Sequence, residues 1–184
     1  MHAGSPLEKG YTFPVKRACK QAAVHADSNF HSAARGQTMT SWAEFTQAAP
    51  EFAAFGKTRF QSEVAYLGTV RADGGPRVHP VTPIMGEQLF LFMEPTSPKG
   101  KDLGRDARYT LHCSVEDSGG GGGEFYVRGR ATLSDDPLIR QAAVRAASYT
   151  PQDHYVLFVL TVEFAFMNRY VDGDANPQRW QSSE

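Results

Sequence analysis

Residues 67–81 have the sequence LGTVRADGGPRVHPV, and the fold prediction starts from this stretch. β-prone residues run from Val64 to Val70, and Asp73-Gly74-Gly75-Pro76 is a strong turn signal. Apolar and polar side chains alternate from Arg77 to Met85, so the two runs predict an antiparallel hairpin. The apolar run from Leu89 to Met93 follows, and it predicts a third antiparallel strand in sequence order.

Helical and strand patterns follow one another on both sides of this hairpin. Trp42 and Phe45 have helical spacing after a capping Thr40 or Ser41, and Pro50 suits the first turn of a second helix. Downstream, the sequence predicts a loop over 95–101, a short helical segment over 102–107, strands over 109–115 and 125–133, a helix over about 135–149, a last strand over 155–170 and a loop-like end over 172–180. The five glycines at 119–123 are predicted to form a flexible hairpin tip.

This order of elements predicts the fold class. Several short strands with helical inserts and no βαβ alternation favour a mainly β protein with a closed antiparallel barrel. Closure of the barrel removes the exposed edges that so many strands would otherwise present. A parallel nucleotide-binding sheet is disfavoured.

Length and composition exclude several classes of function. The chain has 184 residues, which suits one domain with one hydrophobic core. Its net charge of −1 provides no overall field for nucleic acid or an anionic membrane, so neither is expected as a partner. The most apolar stretch, 155–166, is shorter than the ~20 residues that cross a bilayer. Only Cys19 and Cys113 are present, without metal-ligand spacing, so a cytoplasmic location is expected.

The first 38 residues differ in composition from the rest. They mix Gly, Pro, Ser, His and scattered basic residues without a sustained period. This composition predicts a flexible tail over 1–38, followed by one domain over 39–184. The three histidines beyond the tail, His79, His112 and His154, are dispersed among predicted strands, so no metal site is expected.

The segment from Thr96 to Arg105 concentrates hydroxyls and cations beside a helix start. Lys99, Lys101 and Arg105 supply three positive charges, which is the outline of an anion site. Taken alone, a solvated basic loop is the commoner explanation. The segment is not a Walker A loop, because its lysine is not followed by Ser or Thr after the required glycines.

Three motifs together resemble the pyridoxamine 5′-phosphate oxidase-like family over about 64–135. They are the strand-turn-strand at 67–81, the Leu-Phe-Leu-Phe run at 89–92, and Ser97-Pro98-Lys99 followed by Asp102-Leu-x-Arg-Asp106. The resemblance implies an antiparallel split β-barrel that works as a homodimer. It also implies that FMN lies across the dimer interface, with its phosphate held by basic residues.

The resemblance implies a set of cofactor-binding residues. Arg77 occupies the place of a phosphate-binding arginine, and Lys99 that of the phosphate-loop lysine. Pro98 replaces a residue that is often Arg in the family, so Lys101 or Arg105 would substitute for that contact. Glu124 stands where the oxidase commonly has a ring-contacting glutamine. The flavin wall is matched by Val78, His79, Pro80, Val81, Thr82, Phe92 and Met93.

The resemblance implies an FMN-dependent oxidoreductase that takes a hydride from a reduced nicotinamide, NADH or NADPH, and reduces a small acceptor. Pyridoxamine phosphate oxidation is not favoured, because the chain has only the short segment 169–180 where the oxidase has a longer one with a Trp and Arg pair. Two alternatives remain open. One is a reductase that uses a deazaflavin coenzyme, whose anionic tail would engage Lys99, Lys101 and Arg105. The other is a non-catalytic carrier of flavin or haem. Catalytic residues are not assigned.

Overall fold

The computed structural model describes residues 39–61, 64–117, 119–171 and 174–183. The predicted tail, 1–38, lies outside these residues. The described residues form four helices: α1 (Trp42–Ala48), α2 (Pro50–Gln61), α3 (Pro98–Arg105) and α4 (Pro137–Ala146). Nine strands accompany them: β1 (Ala65–Val70), β2 (Pro76–Val81), β3 (Ile84–Met85), β4 (Leu89–Met93), β5 (Arg108–Cys113), β6 (Glu124–Ser134), β7 (Val156–Leu160), β8 (Phe164–Val171) and β9 (Asp174–Gln181).

The strands form one antiparallel sheet that curls into a half-barrel. Its order is β2-β1-β5-β6-β7-β4-β3, and β8 pairs with both β6 and β9. The long strand β6 belongs to two parts of the sheet. Its residues 124–128 pair with β8, whereas 131–134 pair with β7. The predicted mainly β, antiparallel barrel with helical inserts is therefore confirmed.

The predicted last strand, 155–170, is wrong as one element, because it divides into β7 and β8. The division occurs where the chain crosses Gly129 of β6. A Cβ atom at Gly129 would lie 1.8 Å from the carbonyl oxygen of Thr161, in the connection between β7 and β8. Glycine thus permits the close approach at which the chain moves from one part of the sheet to the other.

The predicted strand 77–85 also divides, into β2 and β3. Pro83 separates them, and proline cannot donate a ladder hydrogen bond. β2 pairs with β1, whereas β3 pairs with β4 on the other side of the half-barrel. The predicted hairpin of the first two strands is confirmed, but the third predicted strand is not its neighbour.

Two further boundaries differ from the predictions. The segment 172–180 was predicted as a loop, but 174–181 form β9, which pairs with β8 along its length. Trp180 of β9 packs against Phe45, with ring centroids 4.7 Å apart, and this contact is not local in sequence. Helix α3 begins at Pro98 rather than at 102, because Ser97 caps it through a bond from the Gly100 amide.

The core lies between the curled sheet and its helices. The main cluster includes Phe45 of α1, Phe60 of α2 and Leu103 of α3, packed on the inner face of β1, β5 and β6. A smaller cluster lies under α4 and contains Phe90 and Phe92 of β4. β4 is therefore buried on both faces, as its continuous apolar run indicates. Among the described helices, none is long and apolar enough to cross a membrane.

Candidate functional site

A buried carboxylate, Asp102, organises the basic residues around α3. Its side chain is 4% exposed. Its Oδ2 accepts hydrogen bonds from Nε of Arg77 at 2.7 Å and from the hydroxyl of Thr69 at 3.0 Å. Its Oδ1 accepts one from Arg105 at 3.2 Å. Asp102 thus joins α3 to both strands of the first hairpin.

The pKa of Asp102 reflects these contacts. Burial by itself raises the pKa of the carboxyl group, but the hydrogen bonds from Arg77, Thr69 and Arg105 outweigh it and leave the pKa below its ordinary value. Asp102 is therefore ionised at neutral pH and holds Arg77 in a fixed orientation. The sequence motif contained Asp102, but nothing local indicated that it would bind Arg77, 25 residues earlier.

Lys99 lies one helical turn before Asp102. Residues three apart on a helix are neighbours on its surface, about 5–6 Å apart at Cβ, so Lys99 is a helix neighbour of the Asp102 that binds Arg77. Lys99 is half-buried and Lys101 is exposed, and neither has an ion-pair partner among the described residues. Pro98 has no amide hydrogen, and Ser97 already accepts the Gly100 amide. The cationic side chains, more than the helix amides, are available to an anion here.

Arg105 is held at the end of α3. It donates to the carbonyl oxygen of Val70 as well as to Asp102. Its side chain is 41% exposed. Two guanidinium groups, those of Arg77 and Arg105, therefore flank one buried carboxylate, and this cluster carries a net positive charge.

The β2 residues that match the flavin wall of the family do not all lie on one face of the strand. Because successive side chains of a strand point to opposite faces, Val78 and Pro80 are exposed on the outer face, whereas His79 and Val81 are half-buried on the same face as Arg77. The Nε2 atom of His79 is buried and has no hydrogen-bond partner among the described residues. Thr82 follows the strand and lines a different cleft, together with Phe60 and Ala146.

Phe92 and Met93 are buried in the protein core. Phe92 is 8% exposed and packs under α4, where the guanidinium of Arg140 lies 5.0 Å from its ring centroid. Met93 is 2% exposed and belongs to the main core, close to Gly100 of α3. The structure therefore brings Met93 near the start of α3 but does not bring Phe92 to Arg77.

Glu124 lies far from Arg77 within one chain. It begins β6 opposite Asn168 of β8. The register places Arg77 level with Gly129, five residues further along β6 and three strands away. At about 3.4 Å per residue, this offset is roughly 17 Å along the strand, in addition to the distance across the sheet. Arg77 and Glu124 of one chain do not share a pocket.

Aromatic side chains occupy the outer face of the sheet. The rings of His112 and Tyr126 stack with centroids 5.8 Å apart, and those of Tyr126 and Phe166 with centroids 5.1 Å apart. On the neighbouring strands, Tyr66 is 45% exposed and Val78 is 65% exposed. The outer face thus carries a group of aromatic rings, and it borders a cleft that continues across the sheet.

That cleft has a volume of about 450 Å³ and crosses four neighbouring strands, β2, β1, β5 and β6. We call it the arginine cleft, because Arg77, Arg108 and Arg128 line it, together with Glu163 and Phe164. The strand register places the side chains of Val78 and Arg128 on the outer face, whereas the side chain of Arg77 points to the inner face, where it binds Asp102. Of these three arginines, the sequence predicted Arg77 alone as a binding residue.

The glycine run is not an open phosphate cradle. The side chain of Asp117 accepts hydrogen bonds from the amides of Gly119 at 2.7 Å and Gly121 at 3.1 Å. A Cβ atom at Gly122 would lie 1.9 Å from a guanidinium nitrogen of Arg59, so the run packs closely around that side chain. The protein's own carboxylate thus occupies the amides that an anion would need.

No protein-family model matches the chain, and no curated protein matches it in sequence. Solved structures match it in fold at low sequence identity. A heme-binding protein from Mycobacterium smegmatis has a TM-score of 0.55 and 18% identity, and the match covers 78% of this chain and 59% of that chain. A NimC/NimA family protein from Clostridium acetobutylicum has a TM-score of 0.52 and 14% identity, over 69% of this chain and 94% of that chain.

A third similar structure is a candidate pyridoxamine 5′-phosphate oxidase from Listeria innocua. It has a TM-score of 0.50 and 16% identity, and the match covers 63% of this chain and 96% of that chain. These identities establish the fold and leave the chemistry open, because one fold serves many functions. The protein has the split-barrel fold of the pyridoxamine 5′-phosphate oxidase-like proteins.

Proposed function

We propose that the protein is an FMN-binding oxidoreductase that works as a homodimer and transfers a hydride from a reduced nicotinamide to a small acceptor. The observation that carries the proposal is the Asp102 cluster, which holds Arg77 beside the helix that bears Lys99. An arginine held in a fixed orientation, with a lysine on the helix that holds it, is suited to a phosphate group.

The residues around Arg77 fit a phosphate-bearing ligand. Within the described residues, Arg77 uses only its Nε as a donor, so its two Nη groups remain for phosphate oxygens. Buried polar atoms normally have a hydrogen-bond partner, and the buried Nε2 of His79 on the same face of β2 has none among the described residues. A ligand bound beside Arg77 would supply that partner.

The separation of Arg77 and Glu124 within one chain supports the proposal of a dimer. Both match cofactor-binding positions, yet one chain places them at distant points of the sheet. A second copy, packed on the apolar outer face around Tyr66 and Val78, would bring its own Glu124 to the cofactor. Two-fold pairing is the commonest solution for such a face.

The chain's residues would bind and orient the cofactor, which supplies the hydride chemistry. Arg77 and Lys99 hold the phosphate and fix the ring relative to the sheet. Apolar side chains of the outer face exclude water from the ring once the second copy covers them. Glu124 places a carboxylate near the ring, where it disfavours added electron density and lowers the reduction potential.

Absorbance spectroscopy of the purified protein tests the proposal. We expect flavin absorbance after incubation with FMN, and its loss in the double variant Arg77→Ala, Lys99→Ala. The matched control is Lys57→Ala, which removes an exposed lysine of α2 and should leave binding unchanged. Wild-type protein that stays colourless with excess FMN would contradict the proposal.

A haem carrier is the second candidate, because one of the similar structures is a heme-binding protein and a ring nitrogen of His79 has no hydrogen-bond partner among the described residues. Haem binding would give a Soret band that disappears in His79→Ala, with no nicotinamide oxidation.

A deazaflavin coenzyme is the other alternative cofactor. If it is the cofactor, it should bind more tightly than FMN, and its binding should depend on Lys101 and Arg105 as well as Lys99. Parallel titrations with the three cofactors separate these possibilities.

A further inference from the structure

The outer face of the sheet carries a row of rings with one charged position on each side of it. The register places four side chains of this row level with one another on neighbouring strands: Tyr66, His112, Tyr126 and Phe166. On β6, Glu124 precedes Tyr126 by two residues and Arg128 follows it by two, so all three side chains point to the same face. A negative and a positive group therefore flank the ring row symmetrically, each about 7 Å from it along the strand.

Neither charged group is neutralised within one chain. Glu124 is half-buried and Arg128 is exposed, and neither forms an ion pair with any residue that the structure describes. The guanidinium of Arg128 lies 4.2 Å from the ring centroid of Phe164, and this contact orients it without removing its charge. Asn168, directly opposite Glu124 on β8, is 5% exposed, and its buried Oδ1 has no hydrogen-bond partner within the described ranges. One side of the ring row thus lacks donors, and the other side has a donor to offer.

Two-fold symmetry makes this pattern complementary to itself. In a two-fold dimer the same patch meets its copy, so residue i contacts residue j and j contacts i. An axis that lies between the two faces and runs across the strands above Tyr126 exchanges the positions two residues before and after it. Glu124 of each chain then faces Arg128 of the other, across the gap of about 10 Å at which sheets pack. An axis along β6 would instead place each Glu124 against its own copy, where like charges repel.

We propose that the outer face packs on a second copy of this chain about the ring row, and that two ion pairs between Glu124 and Arg128 fix this register. The inference rests on the dimer of the proposed function and specifies how its two copies pack. The outer face is the convex side of the half-barrel, so the copies approach most closely at β5 and β6, and the exposed Arg179 of the edge strand β9 stays at the solvated rim. The rings supply buried area, whereas the charges select the alignment.

Charge reversal in the full chain tests this register. We expect Glu124→Arg and Arg128→Glu each to raise the dimer dissociation constant at least about tenfold in light scattering, because each variant places two like-charged pairs across the interface. The double variant, which has the composition and net charge of wild type, should dimerise again. A mixture of the two single variants should form a heterodimer, since both of its cross-pairs are attractive, and this heterodimer should migrate with the wild-type dimer on a native gel.

The matched control pair is Glu87→Arg and Arg145→Glu, which makes the same charge changes at exposed positions beside α4. Each control variant should dimerise as wild type does. Circular dichroism checks the fold of every variant, and recovery in the double variant shows that the single variants failed through charge. Single variants that dimerise like wild type, or a double variant and a mixture that both stay monomeric, would overturn the proposed register.

Flavin absorbance separates this proposal from the proposed function. Wild-type protein that binds FMN as a monomer would reject the interface and leave the flavin site in place. A dimer whose charge variants behave as expected, but which binds no flavin, would reject the oxidoreductase and keep the interface.

Discussion

Replacing Asp102 by Asn tests the central cluster. Asn keeps one acceptor oxygen, which can still face Arg77 and Thr69, but its amide then meets Arg105 donor to donor. One hydrogen bond is lost, and the other two change from charge-assisted to neutral bonds. Bonds to charged groups contribute about 1.5–3 kcal/mol and neutral ones about 0.5–1.5 kcal/mol.

The partial exposure of Arg77 and Arg105 limits the stability that Asp102→Asn loses. Breaking a fully buried ion pair costs about 3–5 kcal/mol. The side chains of Arg77 and Arg105 are 30% and 41% exposed, so water partly replaces the lost carboxylate. We therefore expect Asp102→Asn to lower the free energy of unfolding by about 2 kcal/mol.

Urea denaturation of the full chain without added flavin measures this change. Glu51→Gln is the control, because it breaks the exposed ion pair with Arg169 and should cost no more than about 0.5 kcal/mol. With FMN present, Asp102→Asn should also weaken flavin binding, since Arg77 is no longer held in place. A variant as stable as the Glu51 control would refute the assignment of Asp102 as the organiser of the cluster.

Three more predictions follow from other parts of the molecule. Gly129→Ala should lower the free energy of unfolding by about 2 kcal/mol, because the new methyl group would lie 1.8 Å from a backbone oxygen. The control is Gly104→Ala, whose methyl group would point into open space and should leave stability unchanged or raise it. Equal urea midpoints for the two variants would contradict this prediction. The hydrogen bond from Arg108 lowers the pKa of Asp106 from 3.8 to about 2, so its contribution to stability is present above about pH 4 and is lost as the pH falls toward 2. The destabilisation by Asp106→Asn should therefore be largest at pH 6 and should shrink as the pH falls to 2, and a constant difference across this range would disprove the linkage. Val78→Glu should convert the proposed dimer to a monomer in light scattering at micromolar concentration, and a variant that still dimerises would exclude the outer face as the interface.

The sequence predicted correctly those helix starts and turns that are stabilised by residues adjacent in the chain. Ser41 begins α1 with a capping box in which Glu44 bonds back to the Ser41 amide at 2.7 Å, and Asp136 caps α4 in the same region that the sequence indicated. The turn at 73–76 joins β1 to β2 as predicted, with Gly74 at a φ of 80°. Each of these features depends on a few adjacent residues.

Predictions failed where the deciding contact was not local. The predicted strands 77–85 and 155–170 each divide because their two halves join different parts of the sheet. The formation of β9 depends on pairing with β8 and on the packing of Trp180 against Phe45. Alternation of apolar residues shows that a segment is a strand, but it does not name the partner strand.

The sequence by itself determined the mainly β class, the first hairpin, the starts of α1 and α2 and the basic segment around Lys99, because backbone preferences, caps and turns act within a few residues. Only the tertiary structure decided that Asp102 binds Arg77, that Phe92 belongs to the core under α4 and that Arg128 meets the ring of Phe164. Those outcomes depend on strand pairing and on packing between residues distant in the chain, and charge in a sequence carries no information about which opposite charge will lie beside it.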